Sequence, residues 1–134
     1  MSAAQTAAIA GAVLIGGVAV FQFALALGAP YGDAVFGGKA PTRSGVLTGP
    51  FRVLAVVQAV VLLLLGWVLL ARMELVGIPV LGAGSLTWIT WGILAFLVLN
   101  TVANYSAPHP IERWVMGSVT LALSALTLFI ALTA

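Results

Sequence analysis

The chain has 134 residues, of which 63% are hydrophobic and 6% charged. A soluble domain carries roughly 25% charged residues, so an ordinary water-exposed globule is excluded. The net charge of +2 comes from Lys39, Arg43, Arg52, Arg72 and Arg113 against Asp33, Glu74 and Glu112; these are scattered, so nucleic acid is not an expected partner. The absence of cysteine rules out disulfides and thiolate chemistry, and the single histidine, His109, rules out a multi-histidine metal site within one chain. No cofactor is expected.

The first apolar segment covers residues 4–28. No Lys or Arg precedes it, and it is long for a secretory core, so we read it as a retained span rather than a cleaved signal. Ala4, Ala8, Ala12, Gly16, Ala24 and Gly28 form a row of small residues, expected to let another helix approach closely. Ala55 and Ala59 in the next segment make that helix the economical partner. Gly28-Ala29-Pro30 stops the first helix, because proline lacks an N–H and restricts its predecessor.

The second segment covers residues 51–71, with Pro50 suited to its first turn. The third covers 86–104, with Ser85 as the expected N-cap. The fourth covers 114–133; Pro110 starts it and Glu112 lies in the first turn, where the helix dipole favours an anion. Each segment meets the ~20 residues needed to cross ~30 Å of hydrocarbon, and strand-like alternation is absent. The expected fold is therefore all-α: a single transmembrane domain forming an up-down four-helix bundle. Trp67, Trp88 and Trp91 gather at one end, and Tyr31, Phe36, Phe51, Tyr105 and Trp114 at the other, as in paired aromatic belts. No internal repeat is evident.

Loops one and three share an end that carries Lys39, Arg43, Arg52 and Arg113, whereas the other end has Arg72 alone. The positive-inside rule then places loops one and three in the cytoplasm and both termini outside.

Four polar residues within the spans, Gln22, Gln58, Asn100 and Asn104, fall toward the same end, near Asp33, Arg52, Ser106, His109, Glu112 and Arg113. One reading is a polar pocket for a small ligand or lipid headgroup, formed by Gln22, Asp33, Arg52, Gln58, Asn100, Asn104, Ser106, Glu112 and Arg113. The other is hydrogen bonding between helices by Gln22, Gln58 and Asn100. Arg113 could grip a phosphate or carboxylate, but the favoured reading makes Glu112 a dipole partner and Arg113 a lipid-phosphate contact or a partner for Asp33, with His109 an exposed loop residue. No carboxylate lies inside a span by this reading, which argues against proton-coupled transport and against a small four-helix multidrug exporter. No GxSxG, HExxH or Walker A pattern occurs, and Gly37-Gly38-Lys39 is too short for a phosphate loop.

Gly28-Ala29-Pro30-Tyr31-Gly32, Gly37-Gly38 and Leu47 to Arg52 resemble the first loop of small four-span bacterial membrane proteins of uncharacterised function, read as GAPxG…GG followed by a leucine and an arginine. Asn100 through Gly117, with Asn104, Ser106, Glu112, Arg113 and Met116-Gly117, is similar to their N…S…ER…MG signature, and Ser118 departs from it where a proline is expected. The resemblance implies four helices in a bacterial membrane and no assigned activity. The expected function is a non-enzymatic membrane protein, partnered by the lipid bilayer, that binds a lipid or small apolar ligand or serves as an accessory subunit of a larger complex. The alternative is an oligomeric transporter or channel, with Gln22, Gln58 and Asn100 along a polar path. Weaker still is a membrane enzyme using Glu112 and Arg113.

Overall fold

Apolar segments of this length can satisfy their backbone only by coiling, and the computed structural model, which describes residues 1–133, shows this. Helix α1 (Ala3–Leu27) begins at a capping box in which Ser2 and Gln5 satisfy each other's backbone N–H, and ends at Gly28 in the left-handed conformation. Loop one makes two short 3-10 turns and then a two-residue antiparallel ladder, β1 (Thr42–Arg43) with β2 (Val46–Leu47). Helices α2 (Gly49–Arg72) and α3 (Ala83–Tyr105) follow. The last helix enters through a wide turn, Ile111–Met116, closed by a bond from the Gly117 N–H to the Glu112 carbonyl, and continues as α4 (Gly117–Thr133).

All four helices, counting the last from Ile111, are long and apolar enough to cross a membrane. Two expected boundaries shift by three residues, and the rest by two or fewer. The third helix is capped by Gly82, and Ser85 falls inside its first turn, where Leu86 already donates to the Gly82 carbonyl at 3.0 Å. The fourth starts three residues before Trp114, because the wide turn keeps Ile111 to Arg113 helical in direction.

The helices alternate in direction. Gln5 at the start of α1 donates to the Met73 carbonyl beyond α2 (3.3 Å), and Arg52 at the start of α2 donates to the Ala26 carbonyl at the end of α1 (2.7 Å). Contacts run around the ring from α1 to α2, α3, α4 and back to α1. Both termini therefore lie at one end, with loops one and three at the other.

The packing between α1 and α2 sets small residues against branched ones. A Cβ on Gly66 would meet Ile15 Cγ2 at 3.4 Å, and one on Gly11 would meet Leu69 Cδ1 at 3.7 Å. Ala55 and Ala59 are fully buried, as the short small-residue row on α2 suggests. On α1 the buried residues are Ala7, Ala8, Gly11, Ile15, Ala19, Gln22 and Leu25, and of the expected small-residue row only Ala8 is among them. A strict spacing of four drifts about 40° around the helix per step, whereas alternating threes and fours follow one face. A Cβ on Gly16 would meet nothing within 4 Å. The outward surface is aliphatic, with Val13, Val53, Leu99 and Leu132 each at least 65% exposed.

Candidate functional site

The amides expected to tie helices together do not do so. Gln22 is buried at 7% exposure, and its Oε1 has no hydrogen-bond partner among the described residues. Asn100 Nδ2 donates at 2.9 Å to the Phe96 carbonyl of its own helix. Gln58 is exposed. Of the four, Asn104 alone crosses to another helix, its Nδ2 donating to Thr120 Oγ1 at 3.3 Å. The other hydroxyl contacts between α3 and α4 are Thr101 with Ser124 (3.4 Å) and Tyr105 with Ser118 (3.3 Å).

Instead, Gln22, Gln58, Asn100, Asn104 and Glu112 line one cavity of about 460 Å³ at the end of the bundle that carries loops one and three. Its roof is the 34–37 stretch of loop one, and its inner wall includes Val18, Leu62, Leu97 and Leu123. That volume lies within the ~300–1,000 Å³ of ordinary ligand pockets. A second hollow of about 350 Å³ adjoins it between α2 and α3, sharing Val61 and Phe96 and continuing along Leu65, Ile89, Gly92 and Ile93. Every residue lining that groove is apolar, and a Cβ on Gly92 would meet nothing within 4 Å. The cavity is therefore polar near the loops, and the groove beside it is wholly apolar.

Glu112 reaches the cavity because the wide turn begins α4 there. Its Oε1 accepts from the Gly37 N–H at 3.1 Å, which fastens loop one to the fourth helix. Its Oε2 is buried without a hydrogen-bond partner, and the residue is 7% exposed. The expectation that no span holds a carboxylate is thus corrected: Glu112 lies in a helix long enough to span, and its side chain turns inward rather than merely facing the helix dipole. The wide turn is the element that sequence spacing does not reveal.

Four of the expected site residues do not line the cavity. Asp33 is exposed and accepts from Thr42 Oγ1 at 3.0 Å, bracing the small hairpin. Arg52 donates to the end of α1 and acts as a cap there. Ser106 is exposed and donates to the Val102 carbonyl at 2.8 Å. Arg113 is half-buried, with its guanidinium carbon 6.0 Å from the centre of the Trp114 ring, and it forms no ion pair with Asp33. His109 is half-buried rather than exposed, and its Nδ1 accepts from the Ile111 N–H at 3.2 Å, capping the start of the fourth helix. Thr120 and the Gly37 backbone belong to the site and were not expected. Thr120 is one of several hydroxyl residues on an apolar helix, and Gly37 acts through its peptide group, so neither leaves a distinctive sequence signal.

Gly117 completes the framework. A Cβ there would come within 2.9 Å of the Tyr105 ring, so the bare backbone lets that ring lie against the start of α4. Tyr105 in turn meets Trp114 edge-on, with ring centres 6.2 Å apart. No family model matches the chain, and neither a curated protein nor a solved structure shows detectable similarity to it.

Proposed function

We propose that the chain is a multi-pass membrane protein whose bundle takes a small apolar or amphipathic molecule from the surrounding bilayer into the cavity, binding it without transforming it. The single observation that supports this best is that the polar-ended cavity and the apolar groove between α2 and α3 are neighbours, sharing Val61 and Phe96 in their walls. Such a groove opens sideways, so a molecule dissolved in hydrocarbon enters without crossing water. The exposed aliphatic faces of all four helices support residence in lipid, since an apolar surface of this extent would associate in water. Lys39, Arg43, Arg52 and Arg113 at the cavity end favour the cytoplasmic side for that end, with both termini outside.

Binding is favoured over conduction by the far half of the bundle. Its buried residues are chiefly Ile15, Leu69, Ile93 and Ile130, an apolar interior rather than a polar path. Two buried threonines interrupt it, Thr90, which bonds back to its own helix, and Thr127.

Native mass spectrometry of the protein extracted in mild detergent tests the proposal. A bound small molecule or lipid is expected on the wild type and lost from Gly92→Leu, which fills the groove at a position with free space around it. Equal occupancy of both proteins, or an empty wild type in every extraction, would refute the reading.

A further inference from the structure

The charged groups of the cavity are one-sided: Glu112 lines it, and no Lys or Arg does. Asn100 uses an N–H on the Phe96 carbonyl, which can only accept, so the orientation of its amide is fixed and Oδ1 remains uncommitted. Asn104 is fixed in the same way. Thr120 Oγ1 directs its own proton to the Met116 carbonyl (2.9 Å) or the Gly117 carbonyl (3.1 Å), so it must accept from Asn104 Nδ2 and leave Asn104 Oδ1 uncommitted. Glu112 Oε2 and Gln22 Oε1 are likewise without partners, on side chains more than nine-tenths buried. The polar end of the cavity thus offers amides from Gln22, Gln58, Asn100 and Asn104, which can both donate and accept, around one carboxyl group with an unpartnered oxygen.

The protein supplies little cation there. Arg52 is spent on the end of α1, Arg113 lies by Trp114, and neither lines the cavity. The Nδ1 of His109 already accepts from the Ile111 N–H, at the start of the fourth helix. A neutral alcohol would satisfy one acceptor. An alkylammonium head brings three N–H donors and the charge that complements a carboxylate. Its aliphatic chain matches the wholly apolar groove that leads away from this end.

We propose that the occupant is an amphiphile with a primary ammonium head, seated against Glu112, Asn100 and Asn104, with its alkyl chain between α2 and α3. This rests on the proposed uptake of a membrane-dissolved molecule and narrows it to one head chemistry. The head meets Oε2 once the carboxyl turns about its terminal torsion, which is broad and soft.

The test compares decylamine with 1-decanol, which share a chain and differ in the head. Binding is read by native mass spectrometry titration of the wild type, Glu112→Gln and Gly92→Leu. On the wild type, decylamine is expected to bind at least about tenfold more tightly than decanol, a modest return for a charge-assisted contact. Glu112→Gln is expected to bring decylamine down to the decanol level while leaving decanol unchanged, and Gly92→Leu to weaken both. Should Glu112→Gln fail to fold, the comparison of the two heads on the wild type still decides. Decanol binding as tightly as decylamine, with both weakened by Gly92→Leu, would overturn the ammonium assignment and leave uptake through the groove standing. Binding of neither compound, or equal binding to Gly92→Leu, would overturn both.

Discussion

Loop one roofs the cavity, and two glycines in it separate steric crowding from conformational strain. Gly37 and Gly45 both have positive φ, +66° and +81°. A Cβ at Gly37 would meet nothing within 4 Å, whereas one at Gly45 would lie 2.5 Å from the Pro30 carbonyl oxygen. An L-residue in the left-handed region costs ~1–2 kcal/mol, and the stiffer unfolded chain of alanine returns ~0.4–1, so Gly37→Ala should cost a net of about 1 kcal/mol. Gly45→Ala carries the same term and must also push the hairpin away from Pro30. That sacrifices the bond from the Gly32 N–H to the Gly45 carbonyl (2.7 Å) and loosens the pairing of Thr42 with Leu47. At ~0.5–1.5 kcal/mol for each bond, the total approaches about 3 kcal/mol. Trypsin reads the difference, because Lys39 and Arg43 are exposed on this loop. A gap of about 2 kcal/mol in local opening corresponds to roughly thirtyfold faster cleavage of Gly45→Ala than of Gly37→Ala in detergent. Equal cleavage rates would refute the close approach of the hairpin to Pro30.

Three further outcomes are expected. Gly117→Ala should destabilise by about 1–3 kcal/mol through its clash with the Tyr105 ring; in a Tyr105→Ala background the penalty should vanish, as read by denaturation in mixed micelles. Thr101 and Ser124 each donate their proton within their own helix, at 2.8 Å to Leu97 and Thr120 respectively, so their mutual contact has no proton left to share. A double-mutant cycle with Thr101→Val and Ser124→Ala should therefore give a coupling below about 0.6 kcal/mol, the average for bonds between membrane helices. Arg52→Met should cost about 1.5–3 kcal/mol by removing a charged donor from the end of α1, seen as a lower midpoint of denaturation.

The helices were legible because length and apolarity are a one-dimensional signal: Pro50, Pro110 and Gly28 mark their ends, and no charge interrupts their interiors. The concentration of amides toward one end was legible for the same reason, since alternating spans fold Gln22, Gln58, Asn100 and Asn104 toward loops one and three. Their bonding was not. An amide in a helix can bond to its own preceding turn, as Asn100 does, and sequence alone does not separate that from a tie to a neighbour. The inward turn of Glu112 depends on one extra residue in the turn from Ile111 to Met116, which shifts every later side chain around the helix. Hydrophobic periodicity cannot register such a shift in a segment that is apolar all round. The small hairpin turns through a two-residue connection, Ser44-Gly45, with both residues at positive φ, and the Ser-Gly pair is its only trace in the sequence. Arg52 and Asp33 looked like ligand contacts because charges near a polar cluster invite that reading; their hydrogen bonds show a helix cap and a loop brace.

Photolabelling with a long-chain amine that carries a diazirine near the tail, added to the protein in lipid nanodiscs and mapped by mass spectrometry, tests the binding site most directly. Adducts are expected on Val61, Leu65, Ile89 and Phe96 and are expected to disappear in Gly92→Leu. Adducts spread evenly over the outward residues Leu99, Leu121 and Leu132, unchanged by that substitution, would contradict it.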